Sequence, residues 1–308
     1  RGVMLAINSN NNRDEAMKVI KDHPSMVLKE DCFASIKINW DNKSKNMVEI
    51  ANDMNIGLDS LVYIDDDKRN RQLVVEMLPQ VMVLNMPDDP ALYLNAIKEC
   101  TDLDALRLTE EDKKRNLMYV QERKRRETKL LFDNVDDFLA HLEIKVTISK
   151  ADNFDIPRIS QLTQKTNQFN MATRRYQEED IRNLIRKHGY LVYSIRVEDK
   201  FGDNGLCGVV MLKKTKEGLL FDNFLLSCRV LGKGIEKSVM AFCVRMARKA
   251  KAKSLICEYS PTEKNRVARK FLEDSRLRLF RKESGSEFWI FDVKKELKNP
   301  RFIKVIAK

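Results

Sequence analysis

Short apolar runs alternate with amphipathic stretches along the first hundred residues. Val3–Asn8 predicts a strand, Asp14–Asp22 a helix, Ser35–Asn39 a strand and Ser44–Met54 a helix. Leu61–Ile64 predicts a strand ending in acids, Arg69–Met77 a helix, Val81–Leu84 a strand and Pro90–Cys100 a helix. This βαβα rhythm implies a parallel sheet covered by helices, with its chemistry at the carboxyl ends of the strands. Thr109-Glu110-Glu111-Asp112 is a helix-start pattern, and the strongly charged stretch Lys113–Leu131 after it predicts joining helices. From Ile144 a second αβ run begins, with a strand at Val146–Ser149 and a helix start at Pro157–Thr166. Tyr190–Val197 and Gly205–Lys213 read as an antiparallel pair. Strand Leu219–Leu226, helix Ile235–Ala250, strand Ser254–Tyr259, helix Asn265–Asp274 and strand Phe288–Asp292 complete it. The expected fold class is α/β: a partial parallel sheet over 1–105, a helical linker over 106–143, and an αβ unit with a mixed sheet over 144–308.

A hydrophobic content of 43% with 33% charged residues suits globular units with their own cores. No apolar run approaches the roughly 20 residues that a membrane-spanning helix needs. The opening residues read as a core strand, not a signal peptide. The chain starts at Arg1 and not at Met, which favours a piece of a longer protein. Its six cysteines form no C-x-x-C pair, and three histidines offer few further ligands, so a structural zinc site is not expected. Cysteines set in apolar contexts suit a reducing, cytoplasmic setting.

The net charge of +11 is unevenly spread. Residues 1–105 hold 12 Lys+Arg against 18 Asp+Glu, and residues 106–308 hold 45 against 28. A basic second half points to an acidic partner. Its basic residues are dispersed along amphipathic helices, including Arg123-Lys124-Arg125-Arg126, and no nucleic-acid-binding motif accompanies them. Solvated helix faces explain most of them, and an acidic protein ranks ahead of nucleic acid.

Ser227-Cys228-Arg229-Val230-Leu231-Gly232-Lys233-Gly234 sits between a predicted strand and a predicted helix. Strand, Gly-rich turn and helix N-terminus together present backbone N–H groups and the positive end of a helix dipole to an anion. The simpler alternative is a tight connecting turn. In the first half, Ser9 follows a strand, Lys43 precedes a helix, and Asp65 and Asp66 follow a strand directly. Ser9, Asn10 and Lys43 could hold phosphoryl oxygens, and the two acids could bind Mg²⁺. Singly, each also has a plain role: Ser9 and Asn10 as helix caps, Lys43 in solvent, and the acids as caps of the next helix.

Taken jointly, a Ser, then a Lys, then paired acids resembles the later motifs of the haloacid dehalogenase superfamily of phosphotransferases. The resemblance tightens over Ile38-Asn39-Trp40-Asp41-Asn42-Lys43-Ser44-Lys45-Asn46 and Leu58-Asp59-Ser60-Leu61-Val62-Tyr63-Ile64-Asp65-Asp66. With Leu162-Thr163-Gln164-Lys165-Thr166-Asn167-Gln168-Phe169-Asn170 and Ser227–Gly234, it is similar to FkbH-like proteins. That family couples a haloacid-dehalogenase-like domain to an acyltransferase-like (GNAT) domain. Cys257-Glu258-Tyr259-Ser260-Pro261-Thr262-Glu263-Lys264-Asn265 before a helix fits the latter.

The resemblance implies dephosphorylation of a phosphorylated small-molecule donor such as 1,3-bisphosphoglycerate and loading of a three-carbon unit onto an acyl carrier protein. It implies Mg²⁺, and phosphopantetheine or coenzyme A held by Arg229, Val230, Leu231, Gly232, Lys233, Gly234 and Asn265. The family's Asp-x-Asp nucleophile lies on a strand upstream of the Ser motif, so residues 1–308 should not form an aspartyl-phosphate. A reactive thiolate needs exposure and a positive field. Cys228, beside Arg229 at a strand end, is the expected acyl carrier, with a structural cysteine beside a cofactor turn as the alternative, whereas Cys207, Cys243 and Cys257 read as core. Asn167, Gln168 and Asn170 either face a small polyol or cap a helix end. A coenzyme-A-dependent N-acyltransferase and a non-enzymatic carrier-binding module are the alternatives.

Overall fold

The computed structural model describes residues 1–54, 56–104 and 110–308, and within that range all side chains except those of 110–116. The expected boundary at 105–106 and the predicted helix start at Thr109 lie outside it. The chain forms two units, Arg1–Leu131 and Phe132–Lys308.

In unit 1, β1 (Leu5–Ser9) leads through α1 (Arg13–Asp22) to β2 (Phe33–Ile38), which pairs with β1 in parallel. Then α2 (Lys43–Met54) leads to β3 (Val62–Tyr63), and α3 (Lys68–Met77) to β4 (Met82–Val83), again parallel. A 3-10 turn at Pro90–Leu92 precedes α4 (Tyr93–Glu99), which shortens the helix expected over 90–100. The anticipated single parallel sheet is two parallel pairs, unconnected by strand pairing among the described residues. α2 buries Met47, Ile50, Ala51 and Met54 on a face with the 3–4 spacing of a half-buried helix.

The long helix α5 (Glu110–Lys129) corrects the expected solvated basic face. Arg123 and Arg125 are buried. Arg123 donates to the Glu30 carboxylate at 3.2 Å and to its carbonyl, and Arg126 donates to the Asp53 carbonyl. Two long aliphatic stems can be covered because their guanidinium groups find acceptors within the same unit.

Unit 2 opens with α6 (Val135–His141), capped by the Asn134 side chain on the Asp136 N–H. Next come β5 (Ile144–Lys150), α7 (Ile156–Lys165), α8 (Glu178–Arg186), β6 (Tyr190–Asp199), β7 (Gly202–Lys214) and β8 (Leu219–Leu226). They are followed by α9 (Ile235–Lys249), β9 (Ser254–Tyr259), α10 (Arg266–Asp274), β10 (Arg278–Glu283), β11 (Ser286–Asp292) and β12 (Ile303–Ala307). The strands form one mixed sheet in the order β10-β11-β9-β8-β7-β6-β5-β12. One face packs on α9 and α10 through residues such as Phe221, Phe224, Val239 and Phe271, and the other on α7 and α8 through Ile159, Ile181, Met211 and Leu225. Burial on both faces explains why β8 and β9 read as near-continuous apolar runs. No helix among the described residues is long and apolar enough to cross a membrane.

Two irregularities shape unit 2. The β7–β8 register shifts between Met211 and Leu212, which pair with Asn223 and Phe221, so Asp222 is an extra residue in β8. β8 and β9 are parallel neighbours only over Leu219–Phe221 and Leu255–Cys257, and beyond that point they fork.

Candidate functional site

In unit 1 the candidate residues converge at the carboxyl ends of β1 and β3. Lys43, the first residue of α2, is buried and its Nζ donates to the Asp65 carboxylate at 2.7 Å and to the Asn8 carbonyl at 3.2 Å. Asn8 returns the contact, its Nδ2 donating to the Lys43 carbonyl at 2.9 Å, and its Oδ1 accepts from Asn46 at 3.1 Å. Asp65 also accepts from Tyr63 Oη at 2.5 Å, the Asp67 N–H at 2.9 Å and Asn70 at 3.3 Å. Burial alone would raise the Asp65 carboxyl, but Lys43, Tyr63, Asp67 and Asn70 together hold it below its ordinary value. The same burial, with the carboxylate beside it, pushes the Tyr63 phenol far up, so it stays a donor. Arg71 clamps the turn by donating to the Asp65 and Asp66 carbonyls at 2.8 and 2.9 Å.

The predicted positions divide by role. Ser9 ends β1, and its carbonyl accepts from the Asn39 N–H. Asn10 is no helix cap, for its amide ties the Asn39 and Asp41 carbonyls at 3.2 and 2.8 Å. Of the three consecutive acids, Asp65 pairs with Lys43, Asp66 is exposed, and Asp67 caps α3 through the Arg69 N–H. Mg²⁺ takes near-octahedral oxygen ligands, including one or two carboxylates. Both Asp65 oxygens already accept protein donors, leaving Asp66 as the exposed carboxylate of the pair, and no cluster of three or more His, Cys, Asp or Glu among the described residues could hold a metal. These residues do not by themselves make the expected Mg²⁺ site. Asn8, Asn46, Tyr63 and Asn70 had no sequence signal beyond polarity near strand and helix ends.

In unit 2 the chain leaves β8 at Ser227, whose N–H is held by the Cys207 carbonyl at 2.7 Å. Cys228–Val230 form a 3-10 turn, and Gly232 and Gly234 take φ of +74° and +77° before α9 begins. Gly234 occupies the N-cap with no side chain to cap the helix, and the first turn carries Glu236, whose carboxyl is pushed up by burial although it accepts from its own backbone N–H. Of the six cysteines Cys228 is exposed, Cys32 is partly so, and Cys100, Cys207, Cys243 and Cys257 are buried. Burial pushes the Cys207 thiol up to about 11 and the Cys243 and Cys257 thiols up as well. Arg229, Arg158 and Lys233 act electrostatically on Cys207, opposed by Asp203, and Arg229 and Lys233 flank the Cys228 turn in sequence.

Asn265 is a correction to the expected pantetheine contacts. It is fully buried, its amide donates to the Asn170 and Ser260 carbonyls, and its Oδ1 accepts from Tyr259 Oη and the Thr262 N–H. Every polar atom of its side chain is spent on protein, which makes it a loop organiser and not a ligand contact. The trio Asn167, Gln168 and Asn170 is split as well. Asn170 is fully buried between the Thr166 carbonyl and the Thr173 N–H, while Asn167 and Gln168 are exposed.

A further polar cluster joins the forked strands. Arg174 donates through Nη1 to Asp222 on β8 at 2.7 Å and through Nη2 to both Glu258 oxygens on β9 at 2.8 and 2.7 Å, and Tyr176 Oη donates to Asp222 at 3.0 Å. Burial works against the Arg174 charge, but the two carboxylates outweigh it and raise its pKa. An acid inside each of two apolar strands, Leu219–Leu226 and Ser254–Tyr259, was the available signal for this cluster.

No family model and no curated protein matches the chain. Among solved structures it is similar to the N-terminal part of a Bacteroides fragilis protein, described as containing a phosphatase domain complexed with Mg, at 40% identity over 30% of this chain, with a TM-score of 0.30. The chain spans about a quarter of that structure's length, 25%. It is also similar to the Escherichia coli ribosomal-protein-S18-alanine N-acetyltransferase, at 11% identity over 48% of this chain and 94% of the other, with a TM-score of 0.38. A further likeness is to an IAA acetyltransferase from Bacillus cereus, at 16% identity over 48% and 99%, with a TM-score of 0.36.

Proposed function

We propose that this chain takes part in FkbH-like acyl transfer, in which a three-carbon acyl unit from a phosphoglyceryl donor is held at Cys228 and passed to the phosphopantetheine thiol of an acyl carrier protein. The observation that carries this reading is Cys228 itself, an exposed thiol on a turn flanked by cations, while Cys100, Cys207, Cys243 and Cys257 are buried. The Cys228 thiolate attacks the acyl-phosphate carbonyl, a C–S bond forms, the C–O bond breaks, and phosphate leaves with the electron pair. The carrier thiol then attacks the thioester and returns the Cys228 thiol. Arg229 and Lys233, on the turn before α9, would offer positive charge to the carrier arm's phosphate.

Unit 1 would serve the remaining phosphate. Lys43 gives ammonium N–H groups to Asn8 and Asp65, and its third N–H would serve a phosphoryl oxygen at the carboxyl end of β1. In this reading Mg²⁺ would need oxygen ligands beyond Asp65 and Asp66, and the attacking carboxylate would be an acid other than these two.

The test is to incubate the protein with 1,3-bisphosphoglycerate and a holo carrier protein and to record intact masses. An acyl adduct on the protein, lost in Cys228→Ala, supports the reading, whereas an adduct of equal yield in Cys228→Ala overturns it. Acetylation of an amine from acetyl-coenzyme A with Cys228→Ala fully active would instead favour the N-acyltransferase alternative.

A further inference from the structure

Where two parallel strands diverge, each leaves a row of unpaired main-chain groups facing the gap. An extended, amide-bearing ligand can dock there as an added strand. In unit 2 such a gap opens beyond Phe221 and Cys257, and its β8 side runs directly into the Cys228 turn. The arm of a pantetheine thioester, with its two amides, is the kind of ligand that would lie along it.

The gap is filled by the chain itself. The Met171 N–H donates to the Phe224 carbonyl at 3.0 Å, and the Leu226 N–H donates to the Phe169 carbonyl at 3.0 Å, an antiparallel pairing on the open edge of β8. On the other side, the Ser260 N–H just past β9 donates to the Met171 carbonyl at 2.8 Å. Asn265 Nδ2 holds the Asn170 carbonyl at 3.0 Å. Phe169, Asn170 and Met171 are at most 1% exposed, and the Phe169 ring packs against Phe224 and Phe271 at 5.1 and 5.5 Å. Arg174 then bridges Asp222 and Glu258 across the neck of the fork. This segment belongs to the core, because lifting it out would expose an aromatic side chain and break main-chain bonds on both sides.

We propose that Phe169–Met171 is a permanent inner strand of unit 2, so that no extended pantetheine arm lies along β8 and the accepting pantetheine thiol engages the outer turn around Cys228. The second half rests on the assignment of Cys228 above, and it keeps the arm of the accepting thiol, or of coenzyme A, out of the fork.

Amide hydrogen exchange on the intact protein, with and without millimolar coenzyme A as probe, tests this. The Met171, Leu226 and Ser260 amides are expected to exchange more than roughly 1,000-fold slower than unstructured amides, as core groups do. Coenzyme A should leave them unchanged. If they exchange like open-loop amides, or if coenzyme A alters their rates, the fork is a ligand slot and the proposal is overturned. This readout is blind to Cys228 chemistry, so its failure is separable from failure of the acyl-adduct experiment.

Discussion

Lys43 and Asp65 show how a residue acquires its role from its neighbours. Their side chains are 11% and 6% exposed, so the pair is desolvated and each charge depends on the other. Lys43→Met should lower stability by about 3 kcal/mol in urea unfolding, because Asp65 is left buried without its cation. The Asp65 carboxyl is held below its ordinary value, so its contribution is present above the unfolded carboxyl pKa of about 3.9 and is lost as pH falls through the lower folded value. Wild-type protein should therefore lose stability below about pH 4 more steeply than Lys43→Met. Cysteine alkylation offers a second residue-level test. At pH 8 iodoacetamide should modify Cys228 first, whereas Cys207, buried and pushed up to about 11, should react only after unfolding.

At the scale of elements, the β8–α9 connection depends on two left-handed glycines whose surroundings differ. A Cβ on Gly232 would meet nothing within 4 Å, but one on Gly234 would lie 3.2 Å from Pro300 Cγ. Gly232→Ala should cost about 1 kcal/mol from backbone conformation alone, and Gly234→Ala about 1–2 kcal/mol more because it also crowds Pro300. Paired denaturant titrations of the two variants would show the difference. The loop after β9 hangs on one amide in a similar way. Asn265→Ala would leave the buried Asn170 carbonyl without its donor and release the part-buried Ser260 carbonyl and Thr262 N–H, and a loss of about 2 kcal/mol is expected in the same assay. β8 and β9 were legible in the sequence to the residue, since each is an apolar run bounded by turn residues. β10 and α8 were not, because Arg278–Glu283 alternates charge at a sheet edge and Glu178–Arg186 buries only Ile181.

For the whole molecule, the contrast between an acidic first hundred residues and a basic remainder bears on partner choice. If the basic half docks an acidic carrier protein, its affinity should fall by about tenfold or more as NaCl rises from roughly 50 to 500 mM, since exposed charges are screened beyond a few ångströms. Fluorescence anisotropy with a labelled carrier would measure it, and salt-independent binding would count against the role. Local pattern sufficed for the α/β class, the order of most strands and helices, and the separation of an exposed Cys228 from three core cysteines. These follow from hydrophobic period and chain neighbours, which a sequence displays directly. Long-range pairing supplied the rest. Lys43 meets Asp65 across 22 positions, Arg174 meets Glu258 across 84, and Asn265 reaches Asn170 across 95. No periodicity encodes such distances. The first exists because the start of α2 meets the turn after β3 in unit 1, and the other two because β8 and β9 fork and the edges left open must be satisfied by whatever segment the fold brings to them.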